Sequence, residues 1–234
     1  MGKMIIKFLG SKANIEEYTQ RHKYNSSLLI IKNKFRLLID YGEIQKKNLD
    51  KLKPNAILIT HAHPDHYVWT KKNIRIQTIV YLTKETYDYG KFKPENFVII
   101  KPGKKFSLNS FVILPYRVIH SIKCPTIGFK IFLNRKKIIY NPDLVDIINK
   151  NKILKNTNIY IGDGSCIRAN LVRKKEGKIW GHARISTQIN WCEKAGIKKI
   201  FFTHLGKETL RKEKDFKRQH PEIIFAYDRM RMKI

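Results

Sequence analysis

The chain has 234 residues, enough for one domain with a full hydrophobic core, and its 48 Lys and Arg against 19 Asp and Glu give a formal net charge of +29. No apolar stretch approaches the roughly 20 residues that cross a bilayer, which excludes a membrane span. Cys124, Cys166 and Cys192 form no C-x-x-C pair, which argues against a cysteine zinc site or a disulfide framework. We therefore expect a single domain, residues 1–234, in a reducing cytoplasm.

The net charge has two interpretations that the sequence leaves open. It predicts a polyanionic partner, either a nucleic acid or a phosphorylated substrate, and it allows nonspecific nucleic-acid binding through a basic surface. However, only 12 of the 48 cationic residues are Arg, whereas proteins that read nucleic acids favour Arg for its bidentate contacts. The lysine excess is equally typical of an A/T-rich genome.

The predicted elements begin with strands and continue with strands that alternate with helices. A strand at residues 4–9 precedes a hairpin of strands at 28–32 and 35–39. A weakly helical segment covers residues 43–51, and a buried strand follows at 56–60. Further strands are predicted at residues 77–82, 97–100, 111–119, 127–133, 137–140, 158–161 and 198–203, and helices at residues 144–150, 185–195 and 207–218. The pattern by itself indicates a mixed, sheet-dominated α and β protein.

The most informative motif is His-Ala-His-Pro-Asp-His at residues 61–66, directly after the buried strand. It places four metal-capable side chains, those of His61, His63, Asp65 and His66, within six residues. Imidazole and carboxylate groups are the ligands that borderline and hard divalent ions prefer. Because side chains alternate along an extended segment, His61 and His63 point the same way. Asp65 and His66 follow a turn of the chain and can face a second ion.

Three further metal-capable residues, His120, Asp143 and His204, each follow an apolar strand. Strand ends meet at one rim of a fold, so we expect these three side chains beside the motif. Alternatives remain open for two of them. His120 could be a core histidine, and Asp143 could be the N-cap of a helix that begins at Leu144.

The motif and the three later residues resemble those of the metallo-β-lactamase superfamily of binuclear metallohydrolases, along nearly the whole chain. The resemblance implies an α/β fold of four layers, αββα, in which two mixed β-sheets are flanked by helices. It also implies two divalent ions. The implied ligands are His61, His63 and His120 for one ion, Asp65, His66 and His204 for the other, and Asp143 as the bridge.

The same resemblance implies hydrolysis by a hydroxide that bridges two ions about 3.5–4 Å apart. Asp65 and His182 are then the residues assigned to catalysis. Asp40 stands where the superfamily has an aspartate that hydrogen-bonds the ligands, so it is predicted to orient the ligands through hydrogen bonds without binding a metal ion itself. The histidine-rich ligand set favours zinc, although manganese or iron fits similar ligands.

One segment favours phosphodiesters as the substrate. Gly181-His182 resembles the Gly-His helix start of the phosphodiesterase branch, in which the histidine serves as general acid or oxyanion partner. His182 could instead be a structural residue at a helix end. Asp163, between two glycines, could hold His182 in its working tautomer or could cap a turn.

Three arginines near this segment, Arg168, Arg173 and Arg184, are predicted to grip phosphate oxygens, although they could equally form a solvated basic face. The basic stretch 168–178, which contains two of them, is predicted to be a surface loop.

The predicted function is that of a dinuclear-metal phosphodiesterase acting on a nucleotide or a nucleic acid. A thioester, lactone or other carbonyl-ester hydrolase with the same metal cage is an alternative, and so is an inactive nucleic-acid-binding member. The chain lacks the long arm with which the RNA-processing branch grasps tRNA, which places tRNA 3′ processing in doubt.

Overall fold

A seven-stranded mixed sheet is built from the first part of the chain and its last strand. The structure is a computed structural model that describes residues 4–234. The strands are β1 (Met4–Gly10), β2 (Ser27–Lys32), β3 (Phe35–Ile39), β4 (Ala56–Leu58), β5 (Ile79–Leu82), β6 (Phe97–Ile99) and β17 (Arg231–Lys233). Their order is β17-β1-β2-β3-β4-β5-β6, antiparallel from β17 to β3 and parallel from β3 to β6. The predicted hairpin is confirmed as β2 and β3.

A second mixed sheet of eight strands follows. Its strands are β7 (Phe106–Leu108), β8 (Phe111–Ile119), β9 (Thr126–Leu133), β10 (Lys136–Tyr140), β11 (Asp146–Ile147), β12 (Ile159–Asp163), β15 (Lys199–Thr203) and β16 (Ile223–Phe225). Seven of them run in the order β11-β8-β9-β10-β12-β15-β16, and β7 pairs with β8. Strands β10, β12, β15 and β16 are mutually parallel, so their carboxyl ends share one edge of the sheet.

Helices cover the outer face of each sheet. They are α1 (Leu49–Leu52), α2 (Lys84–Tyr89), α3 (Lys150–Leu154), α4 (Ile185–Lys194) and α5 (Lys207–Gln219). Between the sheets, side chains such as Ile6 and Phe129 form one core. The cluster with Leu49 packs α1 on the first sheet, and the cluster with Ile189 and Phe216 packs α4 and α5 on the second. This arrangement confirms the predicted four-layer αββα sandwich.

The predicted helix at residues 144–150 is wrong. Residues 146 and 147 form β11, and helix α3 begins only at residue 150. The backbone N–H of Val145 donates to the carbonyl of Ile119, and β11 continues this pairing at the edge of β8. Pairing with a distant strand thus outweighs the local helical pattern. Asp143 therefore caps no helix at Leu144.

Two other local predictions need correction. The segment 43–51 was predicted to be weakly helical throughout, but helix α1 covers only residues 49–52. The stretch 168–178, predicted to be a surface loop, contributes to a hairpin of β13 (Arg173–Lys175) and β14 (Lys178–Trp180). The β13 side chains are nevertheless exposed, as a solvated charge run requires.

No helix within residues 4–234 is long and apolar enough to span a membrane. Cys124, Cys166 and Cys192 are buried and unpaired, which agrees with the predicted lack of a disulfide framework.

Candidate metal centre

Six of the eight histidines gather where strands of both sheets end. In the second sheet β8 runs in the same direction as β10, β12 and β15, because β9 is antiparallel to both β8 and β10. The strands deliver His61, His63, Asp65 and His66 after β4, His120 after β8, Asp143 after β10, Asp163 at the end of β12, and His204 after β15. All the predicted metal ligands therefore lie in overlapping groups at one site.

His61, His63 and His120 bring three ring nitrogens together. Nε2 of His61 lies 2.9 Å from Nδ1 of His63, and Nε2 of His120 lies 3.3 Å from the same atom. Burial, with help from the imidazole of His120, lowers the pKa of His63 to about 4. Burial also lowers the pKa of His61 and of His120. These three imidazoles are therefore neutral at neutral pH, as metal ligands must be.

The outer partners of two of these rings determine which nitrogen carries the proton. Nδ1 of His120 lies 2.9 Å from the carbonyl oxygen of Gly181, which can only accept. The hydroxyl of Thr60 donates to the carboxylate of Asp40, so it accepts from Nδ1 of His61 at 3.0 Å. Nε2 of each ring is then unprotonated, and its lone pair faces the centre of the cluster, where it can bind a cation.

Asp65, His66 and His204 form a second group, and Asp143 lies between the two groups. Oδ2 of Asp65 lies 3.2 Å from Nε2 of His66 and 3.1 Å from Nε2 of His204. Oδ2 of Asp143 lies 2.7 Å from Nε2 of His66 and 3.8 Å from Nε2 of His61. One oxygen thus contacts a member of each group, as a bridging ligand does.

The second group is strongly charged. Burial disfavours the charged form of each side chain here. The attraction of the Asp65 and Asp143 carboxylates is larger than this effect, and it raises the pKa of His66 well above its usual value. Asp143 contributes most to raising the pKa of His204 to about 10 against the effect of burial. The same attraction holds the pKa of Asp65 and of Asp143 well below the usual range. The pocket therefore keeps its carboxylates ionised.

Two buried atoms at the centre test whether metal ions fit. Nε2 of His66 and Oδ2 of Asp143 lie 2.7 Å apart, but neither atom has a hydrogen-bond partner of acceptable geometry in the described residues. Buried polar atoms without partners are rare in native proteins and costly. An ion between them would satisfy both. The neutral imidazoles of the first group and the ionised carboxylates of the second therefore fit two divalent ions, and a bound cation would displace the protons that the carboxylates draw to His66 and His204. Zinc, manganese and iron are compatible with this ligand set.

Asp40 lies just outside the cluster, in a position to orient two of the presumed ligands. Its Oδ2 accepts a hydrogen bond from Nδ1 of His66 at 2.9 Å, and its Oδ1 accepts one from the backbone N–H of Thr60 at 2.8 Å. Asp40 is fully buried and adopts φ 60°. Because Thr60 contacts His61, Asp40 acts on a ligand of each presumed ion.

Gly42 lets the loop after β3 pack tightly on the metal-binding motif. A Cβ at this position would lie 2.0 Å from the backbone oxygen of Asp65. The backbone N–H of Tyr41 donates to the carbonyl of His66 next to this contact. No side chain larger than hydrogen fits there without moving the backbone that presents Asp65.

His182 lies beside the ligand cluster, in the segment before α4. Its Nδ1 lies 2.7 Å from Oδ2 of Asp163 and 3.1 Å from Oγ of Ser165. A carboxylate only accepts, so Nδ1 carries the proton and Nε2 remains without a partner in the described chain. Burial opposes a charge on His182, but Asp163 outweighs it and raises the pKa of the ring. Arg184, not His182, is the N-cap of α4.

The contacts of Asp163 are compatible with both of the roles that the sequence left open. Besides contacting His182, its carboxylate accepts hydrogen bonds from the backbone N–H groups of Ser165 at 2.8 Å and Leu144 at 3.1 Å, so it also stabilises two turns. Despite burial, the attraction of His182 lowers the pKa of Asp163 to about 2. Ser165 was missed by the sequence analysis, although its Oγ also lies 3.0 Å from Nδ1 of His204.

A cavity of about 670 Å³ opens over the cluster. Its walls include His63, Asp65, His120, Asp143, His182 and His204, together with Lys207, Arg211 and Lys212 of α5. Lys207 pairs with Glu17, and Lys212 pairs with Glu208 at 3.0 Å. Within residues 4–234, the side chain of Arg211 forms no hydrogen bond or close ion pair, although its charge interacts with that of Glu17. Arg211 is thus the one of these three cations that is not held in an ion pair.

The three arginines predicted to grip phosphate lie elsewhere. Arg168, Arg173 and Arg184 are exposed, and none of them lines the cavity. Arg173 belongs to the exposed hairpin strand β13. The structure therefore brings the metal ligands, Asp40, Asp163 and His182 together but leaves these arginines outside the cavity. The sequence analysis missed Lys207, Arg211 and Lys212 of α5, because helical periodicity does not show which face of a helix borders the cavity.

Glu208 holds the loop that forms one wall of the cavity. Its Oε2 accepts hydrogen bonds from the backbone N–H groups of Ile167, Arg168 and Ala169 at 3.0, 3.0 and 2.9 Å. Burial acts to raise the pKa of Glu208, but these backbone donors, Ala169 foremost, together with the Lys212 side chain have the larger effect and lower the pKa to about 2. The folded chain therefore holds this carboxylate in its charged form.

We expect Glu208→Gln to lower the free energy of unfolding by about 1–2 kcal/mol at pH 7, because charged hydrogen bonds become neutral ones. The pKa of Glu208 is lowered by folding from 4.5 to about 2. Its stabilisation is thus complete above pH 4.5 and is lost as the pH falls toward 2. Urea unfolding of both proteins across this range measures the difference. Exposed Glu193→Gln is the control, and a difference that stays constant down to pH 2 would contradict the prediction.

The fold and the His/Asp cluster together define a hydrolase of the metallo-β-lactamase superfamily with a candidate metal site. Residues 41–205 match the family model described as the beta-lactamase superfamily domain, and the chain belongs to that family. No curated protein sequence matches significantly.

Solved structures share the fold at low sequence identity. The metallo-beta-lactamase fold protein YhfI from Bacillus subtilis is 16% identical with a TM-score of 0.75, over 99% of this chain and 100% of that one. A diphosphatase from the PhnP family is 17% identical with a TM-score of 0.72, over 99% and 98%. The short form of human tRNase Z is 17% identical with a TM-score of 0.68, over 97% and 98%. At these identities the likeness establishes the fold alone.

Proposed function

We propose that the chain is a divalent-metal-dependent phosphodiesterase that acts on a nucleotide or a nucleic acid. The observation that carries this proposal is Arg211, whose guanidinium lies in the same cavity as Asp143 and His182 and forms no hydrogen bond or close ion pair with the described residues. Guanidinium groups bind phosphate oxygens through paired, charge-assisted hydrogen bonds. A neutral carbonyl ester has no group that requires such a cation.

The residues around the cavity divide the chemistry among them. When bound, two divalent ions supply Lewis acidity and an activated water. The ligands from the 61–66 motif, with His120, Asp143 and His204, would hold these ions, and the His-rich set leads us to propose zinc. His182 donates a proton to the leaving oxygen from Nε2, while Asp163 keeps the ring oriented through Nδ1. Arg211 binds the anionic substrate.

Two structural neighbours support phosphate chemistry, since one is named a diphosphatase and the other a tRNase. The superfamily nevertheless includes other hydrolases, among them an isothiocyanate hydrolase. The charge of the substrate distinguishes a phosphodiesterase from a hydrolase of neutral substrates, because Arg211 recognises an anion.

A substrate panel on the metal-loaded protein tests the proposal. It compares bis(p-nitrophenyl) phosphate and dinucleotides with a neutral thioester and a lactone. We expect hydrolysis of the diesters, with KM raised about 10-fold by Arg211→Gln and unchanged by Arg218→Gln on the same helix. Arg218 is exposed and pairs with Asp215 outside the cavity. Faster turnover of the neutral esters, with no effect of Arg211→Gln, would favour the carbonyl-ester alternative instead.

A further inference from the structure

A second cavity, of about 410 Å³, lies on the outer side of the first sheet, and we call it the basic cavity. Strands β1, β2, β3 and β17, helix α1 and residues 45–47 form its walls. It shares no lining residue with the cavity over the metal centre. The basic cavity is therefore a separate feature of the molecule, which the proposed hydrolytic activity does not use.

Six cationic side chains surround the basic cavity, and no acidic side chain lines it. They are those of Lys7, Arg36, Lys46, Lys47, Arg229 and Arg231. None of the six forms an ion pair with another described residue of the chain. Six unneutralised cations around one concave surface create a positive potential that attracts anions.

Two of these cations face each other at the edge of the first sheet. Lys7 and Arg231 are direct cross-strand partners in the antiparallel pair of β1 and β17. Like charges in this position destabilise a sheet. Burial lowers the pKa of Lys7, and the charges of Arg231, Arg36 and Lys47 lower it further. These cations therefore repel one another, and an anion in the cavity would reduce the repulsion.

The floor of the basic cavity is apolar and its size is limited. Leu29 and Leu52 are buried there, and Leu9 is half-buried. No aromatic side chain lines the cavity, whereas surfaces that bind single-stranded nucleic acid use aromatic rings as stacking platforms. Its volume lies within the roughly 300–1,000 Å³ that small-molecule sites occupy. These features favour a compact ligand with an apolar body and several negative charges.

We propose that the basic cavity binds a nucleoside triphosphate, with its phosphates among the six cations and its base or sugar against the three leucines. Arg36 is fixed for this role, since its Nε donates to the carbonyl of Leu52 at 2.7 Å and leaves the remaining guanidinium N–H groups for phosphate. The site is connected to the metal centre through a short loop. Gln45 of the cavity and Gly42, which packs on Asp65, belong to the same loop.

Isothermal titration of the metal-loaded protein with the β,γ-imido analogue of ATP, at about 150 mM salt, tests this proposal. We expect saturable binding that the double variant Lys7→Gln/Arg231→Gln weakens about 10- to 100-fold, since it removes two phosphate-binding cations. The matched control Lys174→Gln/Lys175→Gln removes two exposed cations from the β13 hairpin strand and should leave binding unchanged. Diester hydrolysis should be unaffected in both variants, because neither pair contacts the metal centre.

Two further measurements test the repulsion between the cations and the role of the leucines separately. Without ligand, the melting temperature of Lys7→Gln/Arg231→Gln should equal or exceed that of the unmodified protein, because a repulsive pair is gone; a lower value would contradict the electrostatic argument. Inorganic tripolyphosphate should bind more weakly than the analogue if the leucines contact the ligand. Equal losses in both double variants, or tighter binding of a single-stranded oligonucleotide than of the analogue, would overturn the proposal.

Discussion

Replacing Asp143 by Ala is expected to abolish hydrolysis and to remove metal from the protein. Oδ2 of Asp143 contacts Nε2 of His66 and approaches Nε2 of His61, so a single oxygen joins the two ligand groups. Without this carboxylate, the two groups lose the ligand that they would share. We expect kcat/KM for a diester to fall on the order of 10³-fold or more, which corresponds to about 4 kcal/mol of transition-state stabilisation. The metal content should fall from about two ions per chain to about one or none.

Two measurements on the same preparations check this prediction. Mass spectrometry of the purified protein gives the metal content, and initial rates give the activity. Asp146→Ala is the matched control, because Asp146 lies three residues away and pairs only with Lys150 and its own neighbouring backbone. Two ions per chain and normal activity in Asp143→Ala would show that Asp143 does not bridge metal ions. A folded protein that never binds metal would contradict the assignment of the whole cluster.

The sequence predicted that these His and Asp side chains lie close together, because each of them follows the end of a strand. The 61–66 motif supplies four candidate ligands, three histidines and one aspartate, after a recognisable buried strand, and each later candidate follows an apolar run of its own. Parallel strands of one sheet necessarily bring such ends to one edge. The positions of His120, Asp143 and His204 thus depended on strand assignment, which the apolar runs made clear, and not on exact boundaries.

What the sequence could not predict depends on contacts between distant segments. The role of Ser165 arises from its proximity to His204, 39 residues away, and a serine carries no signal for such a contact. The helix predicted at 144–150 failed because the edge of β8 offered its backbone a better partner. The basic cavity combines residues from both ends of the chain, Lys7 and Arg231 among them, so no local pattern indicates it.

Replacing His182 by Ala is expected to slow the cleavage of a dinucleotide by about 10²–10⁴-fold without loss of metal. Nδ1 of His182 is occupied by Asp163 and Nε2 is without a partner beside the cavity, which suits proton donation to a leaving oxygen. The size of the effect should depend on the leaving group. An alkoxide requires a proton as it departs, whereas p-nitrophenolate leaves without one, so bis(p-nitrophenyl) phosphate should be much less affected.

This dependence separates a proton donor from a residue that only supports the structure. His220→Ala is the control, since His220 contacts Glu222 near the protein surface, away from the cavity. Asp163→Asn should produce a smaller loss with the same preference for poor leaving groups, because the ring of His182 would remain but lose its orienting carboxylate. If His182→Ala slowed both classes of diester equally, His182 would serve to position the substrate or stabilise the site. If neither rate changed, hydrolysis would need no donor at this position, and the phosphodiesterase proposal would rest on Arg211 alone.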